Sequence, residues 1–262
     1  MLTGAQVDEY ARELDNALLE HRELPPLTQT HGAFSDEDGY RIQARGIALR
    51  AARGDVGIGW KMGLTSAAKR VQMNLKSSIH GVLTKEMRVR GSLRAAEGVH
   101  PKIEPEIAFV LSRPLTGVAS RQDAWACVAQ VGCAMEILDS RFVGFKYFSL
   151  PDVIADDASS FRFVLADSLV DARAIDPERL ATAQMRMSID GVVKQEAPGS
   201  AISGHPLESL VELAQQTAAR GLTVPAGSIV LAGAATVAEP LRAGTLVRLD
   251  VEHLPPAELR IE

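Results

Sequence analysis

The chain reads as an α+β protein with a mixed sheet behind a helical N-terminal lobe. Three observations predict this. Up to Gly54 the apolar residues recur at helical spacing. Beyond it the texture changes to short apolar runs punctuated by Gly and Pro, and helical patterns at 66–73, 121–131 and 206–220 interrupt those runs. The expected division is a helical lobe over 1–75 and a sheet-built core over 76–262, a pair that can also count as one domain.

The first helix is expected over 3–22, where Val7, Ala11, Leu14, Ala17 and Leu18 share a face, Thr3 caps the start and Leu24-Pro-Pro26 ends the run. A second begins at Ser35 with Asp38 three residues on, carries Tyr40, Ile42, Ile47 and Leu49, and stops at Gly54. Strands are expected at 56–62, 86–89, 102–111, 185–189, 228–232 and 246–251. His205 precedes Pro206 and caps or starts the helix at 206–220, while His80 and His100 are expected in loops. There is no repeat, no low-complexity tract and no Gly-rich phosphate loop.

Composition narrows the function classes. With 262 residues, 46% hydrophobic and 23% charged, the chain can bury a core and lacks the profile of a disordered protein. A net charge of −5 without a long basic block argues against nucleic acid. Cys127 and Cys133 are too few for a disulfide scaffold. No signal peptide pattern opens the sequence and no apolar run reaches the length of a membrane span, so the expectation is a cytoplasmic protein with no membrane partner.

The segment His100-Pro-Lys-Ile-Glu-Pro-Glu-Ile-Ala108 carries the chemistry. Strand side chains alternate, so Glu104 and Glu106 share one face and Ile103 and Ile107 the other. Neighbouring acids repel unless a cation or proton lies between them, and oxygen-only ligation suits Mg²⁺ or Mn²⁺. Glu136, inside the apolar run 134–138, is a third candidate ligand, although an acid there is more often an edge or paired residue. Three carboxylates and waters would leave positions open for a chelating ligand. Lys61, inside Gly59-Trp-Lys-Met-Gly63, either orients an anionic substrate or lets its head snorkel to water. Arg141 either holds a carboxylate bidentately or pairs with Asp139 or Asp152. Asp156-Asp-Ala-Ser-Ser160 is either a functional loop or a turn.

Four motifs, Lys61-Met-Gly-Leu-Thr-Ser66, Pro101-Lys-Ile-Glu-Pro-Glu-Ile-Ala108, Glu136-Ile-Leu-Asp-Ser-Arg141 and Ile154-Ala-Asp-Asp-Ala-Ser-Ser160, together resemble the hydratase/decarboxylase branch of the fumarylacetoacetate hydrolase superfamily. Gly204-His-Pro206 and 225–233 extend the resemblance over nearly the whole chain. It implies a mixed β-sandwich roll, Mg²⁺ or Mn²⁺ held by Glu104, Glu106 and Glu136, an active-site Lys61, and 2-oxo acid substrates from aromatic meta-cleavage catabolism. It further implies Arg141 and Ser159 as catalytic residues, and Leu64, Ser66, Ile79, His80 and Lys146 as substrate contacts. A homo-oligomer is expected, with association with the pathway hydratase as a further partner.

Within that branch, hydratases typically have Asp where this chain has Ile79, and decarboxylases have Ile. Leu138-Asp-Ser-Arg-Phe142 and Phe145-Lys-Tyr147 also resemble decarboxylase runs. Hydration needs an acid to deliver a proton and an oriented water, whereas decarboxylation mainly needs an electron sink. The expected activity is therefore metal-dependent decarboxylation of a small 2-oxo dicarboxylic acid, 2-oxo-3-hexenedioate. The alternatives are 2-oxopent-4-enoate hydration, a carbon–carbon hydrolase, and a non-catalytic metal-binding protein. Three departures from the family pattern stand out: Asp157 replaces Asn, Ala232 replaces the usual Thr before Gly233, and His80 replaces an aromatic residue.

Overall fold

A computed structural model describes residues 1–66, 77–145 and 149–262. Helices α1 (Gly4–Leu19), α2 (Leu27–His31) and α3 (Asp36–Ala52) form the N-terminal lobe. Thr3 and Ser35 cap α1 and α3 with their hydroxyls, as their sequence signals required. Val7, Tyr10, Leu14 and Ile42 build an apolar cluster of this lobe, closed by Phe142 and Ala155 from the core.

The strands fall into two sheets. The larger holds β1 (Gly57–Gly63), β2 (Ile79–Thr84), β4 (Lys102–Leu111), β5 (Val128–Leu138), β6 (Ser160–Leu165) and β10 (Ile229–Leu231) in the order β2-β1-β10-β4-β5-β6. β7 (Val170–Asp171) and β11 (Glu239–Pro240) pair with β5 and β4. The smaller holds β3 (Ser92–Leu93), β8 (Gln184–Ile189), β9 (Val192–Pro198), β12 (Leu246–Val251) and β13 (Leu254–Ile261) in the order β3-β13-β12-β8-β9. β1 runs parallel to β10 whereas β4 and β5 are antiparallel, so the larger sheet is mixed. The boundary expected at residue 75 falls after β1, which already belongs to this sheet.

The main core lies between the sheets. Ile103, Ile107, Val131, Cys133 and Met135 from β4 and β5 join Met187, Val247, Leu249 and Leu259 from the smaller sheet in one buried cluster. Burying such side chains is worth about 1.5–3 kcal/mol each before entropy is counted. After the short α6 (Arg179–Thr182), helix α7 (Pro206–Ala219) adds Leu207, Leu210 and Leu213 to this cluster, with His205 as its N-cap. The opposite face of the larger sheet carries Glu104, Glu106 and Glu136 among a smaller apolar cluster that includes Ala108, Ala134, Phe163 and Leu231. Helix α5 (Leu150–Ala155) packs against α3, and its Val153 and Ile154 meet Tyr40 and Ile79.

Several local expectations change. The helix expected over 121–131 is only α4 (Arg121–Trp125), because Val128 already enters β5, whose apolar residues obey strand rather than helix geometry. The strand expected over 86–89 is largely a 3₁₀ turn at Lys85–Met87, with Arg88 making an isolated bridge to Phe163. His80 lies in β2 rather than a loop. The helix expected at 66–73 lies almost wholly outside the described residues, as does Lys146. Among the described residues, no helix is long and apolar enough to cross a membrane.

Candidate active site

Register assembles the carboxylates. Glu104 stands directly opposite Glu136 across the β4–β5 ladder, and Glu106 opposite Ala134 on the same face. One carboxylate oxygen from each of Glu104, Glu106 and Glu136 lies within 4.8 Å of the others. Glu106 and Glu136 are fully buried. Lys61 reaches the cluster from β1, which is paired to β10 and through it to β4. Its Nζ lies 3.0 Å from Glu136 Oε1, with both side chains almost wholly buried. The snorkelling alternative for Lys61 therefore does not hold.

Gly233 fixes the second acid: its N–H donates to Glu106 Oε2 at 2.7 Å. Its φ of +105° and the approach of Thr65, 2.4 Å from where a Cβ would stand, both require glycine there. Burial and the nearby Glu136 and Glu104 carboxylates push Glu106 well above the usual carboxylate range, against the opposing pull of Gly233 and Lys61. Burial works against the Lys61 charge, yet Glu136, Glu104 and Glu106 hold its pKa above the ordinary lysine value. Glu106 Oε1 and Glu136 Oε2 are buried without a hydrogen-bond partner. Lone pairs of this kind, aimed into a shared space, fit a hard divalent cation.

A cavity opens beside the cluster. Lys61, Glu104, Leu64, Ser66 and Ile79 line it, and Leu138, Val153 and Ala158 supply apolar wall. Structure thus brings together five of the expected site residues around one space, with Glu106 and Glu136 behind Glu104. Leu138, Val153 and Ala158 were not among the expected contacts. Their aliphatic side chains carry no chemical signal in sequence, and only the fold places them here.

Two expected residues lie elsewhere. Arg141 is buried and committed: its backbone N–H and Nε donate to the Asp156 carboxylate, and Nη2 to Asp156 O at 2.7 Å. Despite burial, Asp156 holds the guanidinium above its ordinary pKa. The partner is neither Asp139 nor Asp152, and Nη1 donates to Ser160 O at 3.3 Å, so all three guanidinium nitrogens are engaged within the protein. Asp139 instead accepts from the backbone of Val99 and His100. His80 pairs in register with Met62, on the face of β2 opposite Ile79, where Nδ1 meets Gln216 Oε1 at 2.8 Å and the ring stacks on Tyr40. Burial lowers its pKa to about 4, so the ring is neutral and turned away from the cavity.

Ser159 belongs to a turn in which Asp157, Ala158 and Ser159 have φ of 51°, 52° and 61°. Three consecutive non-glycine residues in the left-handed region carry strain that the surroundings must hold. The Asp156-to-Ser160 stretch is therefore a built feature rather than a loose turn.

Fold and site together define a mixed-sheet protein in which a buried acid cluster meets a half-apolar cavity across an ionised lysine. The fumarylacetoacetate hydrolase C-terminal family model matches residues 68–262, and the chain belongs to that family. It is 41% identical over 251 residues to a 4-oxalocrotonate decarboxylase from Pseudomonas sp., covering 95% of each chain. A 2-hydroxyhexa-2,4-dienoate hydratase from Comamonas testosteroni is 34% identical over 253 residues, covering 95% of this chain and 94% of the relative. Among solved structures, the 4-oxalocrotonate decarboxylase from Pseudomonas putida G7, complexed with magnesium and adipate, superposes with a TM-score of 0.95 at 32% identity, covering 100% of this chain and 99% of that one.

Proposed function

We propose that this protein is a metal-dependent decarboxylase that converts 2-oxo-3-hexenedioate to 2-hydroxy-2,4-pentadienoate and CO₂. The observation that carries the reading is the cavity itself: Lys61 and Glu104 stand at the acid cluster, and Ile79, Leu138 and Val153 leave much of the remaining wall apolar. The Pseudomonas putida structure, which holds magnesium and a six-carbon dicarboxylate, supports the same ligand class.

Glu104, Glu106 and Glu136 would hold Mg²⁺ or Mn²⁺, which when bound supplies Lewis-acid stabilisation for charge developing on the substrate's 2-oxo oxygen. Lys61, charged and anchored to Glu136, orients the 2-oxo acid end and adds fixed positive charge there. In the reaction the bond to the distal carboxylate breaks and CO₂ leaves. The electron pair moves through the conjugated chain to the 2-oxo oxygen, where protonation gives the dienol. An apolar wall around the distal carboxylate favours this, because its charge disperses as CO₂ forms and a firm salt bridge would stabilise the starting state. Ile79 presents no acid to deliver a proton to carbon, which separates this chemistry from hydration.

Hydration of a 2-oxo-4-enoate is the second reading, supported by the Comamonas relative. The two are separated by incubating Mg²⁺-loaded protein with 2-oxo-3-hexenedioate while following CO₂, beside a parallel reaction with 2-hydroxy-2,4-pentadienoate. Decarboxylation requires metal-dependent CO₂ release that disappears in Glu106→Gln. Consumption of the dienoate without CO₂ identifies a hydratase. The same reading carries homo-oligomeric assembly and association with the hydratase that consumes the dienol, both accessible to sizing and co-purification.

A further inference from the structure

Asp156 and Asp157 are adjacent, yet they face different elements. Asp156 is bound to Arg141 at the end of β5. Asp157 points toward the helical lobe and β2: Oδ1 accepts the Val82 N–H at 2.8 Å, and Oδ2 lies 3.5 Å from Arg50 Nη1 on α3. Both side chains are buried, Asp157 to 5% exposure and Arg50 to 11%. Asp157 Oδ2 has no hydrogen bond, so Arg50 compensates it by charge alone.

Asp157 is also the first of the three left-handed residues, and the middle one, Ala158, lines the cavity. Such a conformation persists only where several contacts over-determine it. Here the Ser160 hydroxyl donates to Asp157 O, the Ser159 N–H to Asp156 O, and the Asp139 N–H to Ser159 O. Gly81 allows the close approach, since a Cβ there would come within 2.6 Å of Asp157 O. These bonds hold the turn from the sheet side. From the lobe side, Arg50 is the charge that faces Asp157, with Asp15 of α1 and Arg141 and Asp156 of the core completing the charged surroundings of Arg50.

We propose that Arg50 and Asp157 form a positioning pair that holds the left-handed turn 157–159, and with it the Ala158 wall of the substrate cavity, so that the helical lobe sets the shape of that cavity. A buried, incompletely hydrogen-bonded ion pair is a poor source of stability. Its location makes it a link between lobe and cavity. Neither residue touches the carboxylate cluster in the described contacts, so the pair acts on the fit of the substrate rather than on the metal. The kinetic part of this inference rests on the decarboxylase reading; the structural part does not.

The test compares Arg50→Met, Arg50→Lys and the double variant Arg50→Met/Asp157→Asn with the parent protein, loaded with Mg²⁺. Hydrogen exchange of the Val82 and Ser159 amides is expected to accelerate at least tenfold in Arg50→Met, while the amides of central β5 keep their rates. KM for 2-oxo-3-hexenedioate is expected to rise at least fivefold with a smaller change in kcat, and Arg50→Lys to recover most of the loss. The double variant, which leaves no buried charge alone, tests the same effect in a chain expected to melt closer to the parent than Arg50→Met does. Unchanged exchange at both amides in Arg50→Met and in the double variant overturns the proposal. So does a KM in the double variant equal to that of the parent. If the parent releases no CO₂, the functional reading fails by itself, and amide exchange still decides whether the pair holds the turn.

Discussion

Lys61 and Glu136 form a buried ion pair, Nζ to Oε1 at 3.0 Å, at the meeting point of the acid cluster and the cavity. The pair unites three strands, since Lys61 comes from β1 and Glu136 faces Glu104 across β4 and β5. Lys61→Met removes the one described cation in contact with a cluster that already holds partnerless oxygens. Breaking a buried pair from one side costs on the order of 3–5 kcal/mol. Without metal, the variant is expected to lose that order of stability in denaturant titration, and Mg²⁺ to restore most of it. On the proposed decarboxylase reading, CO₂ release is expected to stay low in either case, because metal would not replace the lysine at the substrate.

The metal-free protein should weaken as pH rises. Burial and the Glu136 and Glu104 carboxylates raise Glu106 well above its ordinary value, so the folded state holds a proton that the unfolded chain has released. Stability is then present below the ordinary Glu range and is lost as pH climbs toward the raised folded value. Mg²⁺ held by these acids would occupy the same lone pairs and displace the proton, so its affinity is expected to increase with pH. At a hundredfold excess over Kd it adds about 2.7 kcal/mol. Thermal melts at several pH values, with Mg²⁺ and with chelator, should give a falling curve only in the chelated protein.

Part of this site was legible in sequence and part was not. Alternation alone placed Glu104 and Glu106 on one face, because period two needs no knowledge of partners. Glu136 could not be set opposite Glu104 from local pattern, since register is fixed by the whole ladder. Arg141 shows the same limit: its partner Asp156 lies fifteen residues away, past a helix, while nearer acids looked equally suitable. Gly81 weakens the strand signal around His80, although that glycine is needed where the 157–159 turn presses on β2. Pro255 and Pro256 interrupt the alternation that would announce β13, and the start of β5 carries no turn signal to part it from the helical run before it.

His80 and Asp157 should produce opposing pH effects. Burial lowers His80 to about 4, so the unfolded chain binds a proton that the folded state refuses between 6.5 and about 4. Its contribution rises with pH across that window and is lost on acidification, by about 3 kcal/mol at most. Burial raises Asp157 to about 6 against the pull of Arg50, so its contribution falls as pH increases from 3.8 to about 6. The two nearly cancel. In Mg²⁺-loaded protein, His80→Phe is expected to expose the Asp157 slope, with stability declining from pH 4 to 6, and chemical denaturation at closely spaced pH values measures it. An unchanged profile would place both groups in surroundings unlike those described.

Ile79→Asp tests the apolar wall. Ile79 is 3% exposed and shares the cavity with Lys61 and Glu104. A carboxylate there adds a buried acid near Glu104 and gives Lys61 a second anionic neighbour. CO₂ release from 2-oxo-3-hexenedioate is expected to fall at least tenfold. Mg²⁺ affinity should change far less, because the three cluster acids are untouched. Parallel calorimetry with Mg²⁺ and CO₂ measurement separate the two effects, and equal losses in both would mean that Ile79 supports the cluster rather than the substrate.

Gly233→Ala examines how the second acid is held. The new Cβ meets Thr65 at 2.4 Å, and the backbone at φ +105° is one that alanine resists, so the 233–235 segment must move. That movement breaks the N–H donation to Glu106 Oε2 and leaves a carboxyl already pushed up by burial with fewer partners. Strain of this kind costs about 1–3 kcal/mol per residue, and the unsatisfied acceptor adds to it. The variant is expected to melt lower without metal and to bind Mg²⁺ more weakly than the parent. Thr65→Ala, which removes both the methyl and the hydroxyl that lie 2.4 Å from the new Cβ, should restore part of the melting temperature in the double variant but little of the Mg²⁺ affinity, because it relieves crowding without returning the backbone donor. Full recovery of affinity in the double variant would show that crowding alone, and not loss of the Gly233 hydrogen bond, disturbs Glu106.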